Sequence, residues 1–199
     1  MPEWIDSDLG VTLLMSVVSL LAVWVPFYRG FLLCLQALGA TRRLPAAEIS
    51  RGLRQRVDAR GEPVALRMLR VLSRSLEEAK GAGHPSEFVI DASRHYVSNE
   101  YDASYARPIS MYANLLPPIG FIGTTCGMLV LLLSMHMASD SLEIGALALA
   151  LTSSILALVG FAVLEAIKIR LYARMLSGLE DALAFYRASA ARSPGAGLS

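Results

Sequence analysis

Groups that usually carry catalysis or cross-links are scarce in this chain. It holds two cysteines and three histidines, with neither the spacing of a metal site nor the makings of a disulfide framework. Cys34 and Cys126 both stand in apolar helical stretches and read as small buried hydrophobes. His84, His95 and His136 share no ligand spacing. No catalytic residue, no metal and no cofactor is therefore expected. A formal net charge of +1 leaves no electrostatic footprint for nucleic acid. What is abundant is apolar surface: 54% of residues are hydrophobic and mean hydropathy is +0.49. Those values exclude a disordered chain and point to an integral membrane protein.

Charge is absent where the chain is most apolar. Between their flanks, Leu115–Met137 and Leu142–Leu164 carry no charged side chain; Glu143 stands at the start of the second and His136 near the end of the first. Each run is long enough to cross roughly 30 Å of hydrocarbon as a helix. The short connection between them, 138–143, forces the two helices to be antiparallel neighbours. A third apolar segment, residues 9–38, precedes them. It lacks the basic start and the small-residue cleavage site of a secretory signal, so it is expected to be a retained membrane helix, kinked at Pro26. Trp4 at one end, and Trp24, Tyr28 and Arg29 at the other, suit the two membrane–water interfaces.

The fold class expected is all-α, with three transmembrane helices at 9–38, 111–137 and 144–166. Between Thr41 and Arg107 stand twelve Lys/Arg residues, whereas 1–8 and the 138–143 connection have none. By the positive-inside rule, segment 1–8 is expected outside, 39–110 as a cytoplasmic loop, 138–143 outside and 167–199 cytoplasmic, giving an N-out, C-in topology. Lys168, Arg170 and Arg174 agree with that. A solvated face beside anionic headgroups accounts for the basic residues better than a dedicated binding patch.

Within the loop, Ala65, Met68, Leu69, Leu72 and Leu76 follow helical spacing. Gly81–Pro85 ends that helix, and Ser86 opens another whose apolar positions are Phe88, Val89, Ala92 and Tyr96. That helix is expected to run on toward the second span with a break near Arg107–Pro108. Asp140 and Glu143 have capping-box spacing at the start of the third span. An amphipathic extension follows from Glu165 to about Arg187, and Ala188–Ser199 is expected to lack structure.

Hydroxyls lie near the middle of both long runs: Thr124 and Thr125 in one, Thr152, Ser153 and Ser154 in the other. Antiparallel helices bring those midpoints to one depth. Small residues share faces with them. Gly120, Thr124, Gly127, Leu131 and Ser134 fall on one face of the second span; Gly145, Leu149, Ser153, Leu156 and Gly160 fall on one face of the third. Gly123 and Gly127 form a further small-residue pair. This periodicity fits close packing better than a pore lining and leaves both open. Conduction of ions would need a charged or titratable group at midplane depth. This chain supplies none, so at most it holds half of such a site.

At these residues the chain resembles the MotA/TolQ/ExbB proton-channel family, most closely its three-span TolQ/ExbB branch. The first motif is Pro117-Pro118-Ile119-Gly120-Phe121-Ile122-Gly123-Thr124, then Gly127-Met128; the second runs from Gly145 to Thr152-Ser153-Ser154-Ile155. The resemblance covers about residues 105–175. It implies that Thr124 and Ser153, with Thr152 one position away, line an ion path. It also implies that Pro117, Pro118 and Gly120 mark a break at the pore entrance, with Gly123, Gly127 and Gly145 as packing positions. Two departures stand out: Ala148 occupies the branch's Glu position, and Leu156 occupies a Gly position.

What the resemblance further implies is a homopentamer in the bacterial inner membrane. It would surround a single-span partner of the ExbD/TolR/MotB type, whose membrane Asp carries the proton, and would turn proton motive force into rotation or other mechanical work. Ala148 and Leu156 motivate the alternative, a non-conducting membrane scaffold of the same fold.

Overall fold

In the computed structural model the described residues are 7–54, 62–82, 85–137 and 140–192, and they are helical almost throughout, with no strand among them. The order is α1 (Ser7–Ala40), α2 (Ala46–Arg54), α3 (Val64–Ala82), α4 (Ser86–Tyr101), one π-helical turn (Asp102–Ala106), α5 (Arg107–Met137) and α6 (Asp140–Arg192). Stretches of α1, of α4–α5 and of α6 are each long and apolar enough to cross a membrane. These are the features of a multi-pass membrane protein.

The chain divides into two compact units. One comprises Met1–Leu32 with Pro108–Ile167, the other Leu33–Arg107 with Lys168–Ser199. The first holds the apolar parts of α1, α5 and α6, which meet at small residues. Gly30 of α1 faces Leu164 of α6 and Tyr112 of α5, and Gly160 of α6 sits beside Phe27 and Leu116. Without a hydrophobic driving force between helices in lipid, such close approaches supply the packing. Large apolar side chains such as Trp24, Phe121 and Ile144 point outward, as lipid or another apolar surface requires. Cys126 is among the outward residues, while Cys34 is buried. The expectation that both are buried therefore fails for Cys126, because an apolar residue of a membrane span need not face the protein.

The second unit is built on a core of Ile49 from α2, Ala65, Met68, Leu69 and Leu72 from α3, Val89, Val97 and Tyr101 from α4, and Met175, Leu179 and Leu183 from α6. The α3 face is the one its periodicity predicts. The α4 face is not. Val89, Ser93, Val97 and Tyr101 are buried, while Phe88 and Tyr96 are exposed and Ala92 with them. A strict i, i+4 row through a serine proves the inward one, and the more apolar row lies about 100° around the helix. Arg67 clamps α3 to α4, donating Nε to Glu100 Oε2 at 3.0 Å and Nη2 to Glu100 Oε1.

No break occurs at Arg107–Pro108. The chain widens into the π-turn immediately before it, closed by Arg107 N–H donating to the Asp102 carbonyl and by Arg107 Nε donating to Asp102 Oδ2 at 2.8 Å. Pro108 has no N–H for the preceding turn and its ring crowds the carbonyl four residues back, so a wider turn relieves both. Likewise α5 passes through Pro117 and Pro118, and α1 through Pro26, without interruption. α6 begins at Asp140, inside the expected 138–143 connection, and runs unbroken to Arg192, five residues past the expected end. The side chain of Asp140, and with it the proposed capping box, lies outside what is described, as does the tail 193–199.

Among the described residues of the second unit, Glu62 is the most buried charge. Its side chain is 1% exposed, its Oε2 accepts from Arg70 Nη1 at 2.6 Å, and its Oε1 has no partner. Burial pushes its carboxyl above the ordinary 4.5, against the opposing pull of Arg70 and Arg67. The folded chain thus holds this proton more tightly than the unfolded chain does. Stability from this group falls as pH rises through the raised value and returns as pH falls toward 4.5. Relative to Glu62→Gln, which keeps the shape but cannot titrate, the wild type is expected to gain melting temperature as pH is lowered from neutrality toward that value. A difference that stays flat with pH would show that burial does not govern this carboxyl.

Candidate functional site

The polar feature of the apolar unit is a layer of hydroxyls drawn from all three of its helices. On α5, Thr124 Oγ1 donates back to the Gly120 carbonyl at 3.0 Å, the ordinary way for a threonine to be satisfied inside a helix. It is also hydrogen-bonded to Ser154 Oγ of α6. Ser154 Oγ in turn lies 3.3 Å from the same Gly120 carbonyl. Each hydroxyl has one proton, so the trio has two proton arrangements. Either Thr124 donates to the carbonyl and accepts from Ser154, or the roles reverse. Both side chains are half-buried.

Backbone proximity makes this bridge. A Cβ on Gly120 would fall 2.6 Å from Ala157 Cβ, and one on Gly123 would fall 1.8 Å from Ser153 Oγ and 2.6 Å from Ser153 Cβ. Gly127 repeats the pattern against Ala146 and Ala150. The row Ala146, Ala150, Ser153, Ala157 is therefore the face of α6 that receives the glycines of α5. Leu149 is buried near it, whereas Leu156, placed on that face by spacing, points outward. Helix α1 contributes Ser19, whose Oγ would be 3.0 Å from a Cβ on Gly123.

The predicted positions separate as follows. Thr124 is in the hydroxyl bridge. Ser153 is 4% exposed, seated against Gly123, and its Oγ has no hydrogen-bond partner; it faces the helix contact. Thr152 faces outward, as does Ala148. Thr125 also faces outward, its hydroxyl returned to the Ile122 carbonyl at 2.8 Å. Gly120, Gly123 and Gly127 are buried packing positions, and Gly145 is partly buried. Pro117 and Pro118 lie within unbroken helix.

Two participants were not singled out as site residues by spacing. Ser154 stands one position beyond Ser153, and Ser19 lies in a span with no motif at all. An uncharged hydroxyl in an apolar helix gives no stronger signal than its depth.

Chemically, this layer can donate and accept hydrogen bonds at the middle of apolar spans but cannot hold charge. No protein-family model, curated protein or solved structure matches this chain.

Proposed function

We propose that the chain is a stator-type membrane subunit that forms half of a proton path. The other half is a membrane carboxylate supplied by a single-span partner of the ExbD/TolR/MotB type. The observation that carries this is the Thr124–Ser154–Gly120 bridge, a polar group with two proton arrangements set among spans that have no charge of their own at that depth. A partner aspartate beside it would be stabilised by hydroxyl donors when ionised and by acceptors when protonated. Membrane potential supplies about 2.3 kcal/mol per proton per 100 mV, enough to drive a mechanical step when several protons pass.

The twelve basic residues between Thr41 and Arg107 favour a cytoplasmic location for that segment, with the N-terminus outside. The resemblance in residues 105–175 favours a pentamer in the bacterial inner membrane. The outward residues Ala148 and Leu156 favour the second reading, a non-conducting scaffold, since neither adds a polar group to the face α6 turns away from α5.

Co-expression with the single-span protein encoded beside it, followed by native mass measurement of the extracted complex, separates the two. Five copies around an aspartate-bearing partner are expected. A homo-oligomer, or a partner without a membrane carboxylate, would leave nothing to titrate and would select the scaffold.

A further inference from the structure

The end of α1 carries a second polar feature, unrelated to the hydroxyl layer. The apolar span of α1 finishes at Ala40. Thr41 closes the helix with its N–H and its Oγ1 both donating to the Ala37 carbonyl at 2.9 Å. The chain then turns and presents Arg42 and Arg43. Arg174 of α6 meets them there. Together with Leu38, Gly39 and Thr41, the three arginines line a cavity of about 600 Å³ that has no carboxylate in its wall. Arg43 Nη2 is held in place by donating to Ser177 Oγ at 2.7 Å.

Leu38 of the wall is exposed, and so is Leu35, one turn before it on α1; one turn before Arg174 on α6 stands the exposed Arg170. An apolar strip on α1 that ends in a cluster of positive charge matches a lipid, with acyl chain along the strip and phosphate at its end. Arginine suits phosphate because its planar fork offers paired N–H donors and stays charged. The end of α1 opposes an anion with about half a negative charge, which three full positive charges outweigh.

We propose that this cavity is a discrete binding site for the headgroup of an anionic phospholipid. Arg42, Arg43 and Arg174 contact the phosphate, and Leu35 and Leu38 take the acyl chain. The site is independent of whether the hydroxyl layer conducts.

The test is native mass spectrometry of the full-length, detergent-solubilised protein titrated with phosphatidylglycerol or with phosphatidylcholine. Saturable binding of phosphatidylglycerol, one per chain, is expected, with phosphatidylcholine held far more weakly. Replacing all three arginines with glutamine (R42Q/R43Q/R174Q) is expected to weaken phosphatidylglycerol binding roughly a hundredfold. A control of equal charge change at exposed arginines elsewhere, R51Q/R94Q/R187Q, should change it little. The comparison of lipids on the wild type needs no variant to fold. Equal retention of both lipids, equal loss in the control, or displacement of the lipid by millimolar inorganic phosphate would each overturn the assignment.

Discussion

Gly123→Ala is expected to stop α5 from closing onto α6. The added methyl would fall 1.8 Å from Ser153 Oγ and 2.6 Å from Ser153 Cβ. The hydroxyl can rotate away, but the Cβ is fixed to the backbone, so relief requires the helices to separate along the contact that also includes Gly120 and Gly127. Overpacking of this kind costs about 3 kcal/mol. Alanine is the better helix former by about 1 kcal/mol, so a net loss of stability would have to come from the contact.

Thermal unfolding of the detergent-solubilised protein should show it. Combining Gly123→Ala with Ser153→Gly removes both clashing atoms and is expected to restore most of the loss. Ser153→Ala, which leaves the Cβ, should restore less. A Gly123→Ala protein as stable as wild type would mean that α5 and α6 do not meet at this register.

Thr124→Ala combined with Ser154→Ala is expected to abolish proton-driven work while leaving the assembled complex intact. Loss of hydrogen bonds to an ionising carboxylate is worth about 1.5–3 kcal/mol each, or roughly tenfold to a hundredfold in flux. The structural cost is small by comparison, since interhelical hydroxyl bonds in membranes contribute about 1 kcal/mol. Proton flux into vesicles containing the subunit and its partner is the measurement, with native mass as the control for assembly. Thr124→Ser keeps the hydroxyl and should retain flux. Ser153→Ala alone should change flux little, because its hydroxyl faces Gly123 and not the bridge. Normal flux in the double variant would remove the hydroxyl layer from any ion path.

That contrast between Ser153 and Ser154 shows how far the residues alone could be read. Spacing places hydroxyls at mid-depth on both long helices, and the structure brings them together. The resemblance points to Ser153 and Thr152, whereas the bridge to Thr124 is made by Ser154. A helix apolar on every side has no amphipathic period to say which way it faces. Successive positions differ by about 100° around the axis, so an error of one residue turns a bridge into a packing contact or an outward side chain. In α4 the cause is different: apolar residues stand on two adjacent rows, and Phe88 and Tyr96 look more buried by type than Ser93, which lies on the inward row with Val89. In α3 the polar residues leave a single apolar stripe, and there the face was correctly anticipated.

Sequence by itself determined that this protein has three apolar helices long enough to span a bilayer, a basic helical segment between the first and second, and no charge of its own at mid-span. Those features follow from composition and run length, which need no knowledge of neighbours. Tertiary structure alone decided the rotation of each helix about its axis. The glycines of α5 admit the alanines and Ser153 of α6 at one register only, and that register sets Thr124 against Ser154. It decided equally that Pro108 is absorbed by a widened turn, and that Arg42, Arg43 and Arg174, far apart in the chain, share one cavity. Each of these depends on which backbones can approach most closely, a property of pairs of helices and not of any one of them.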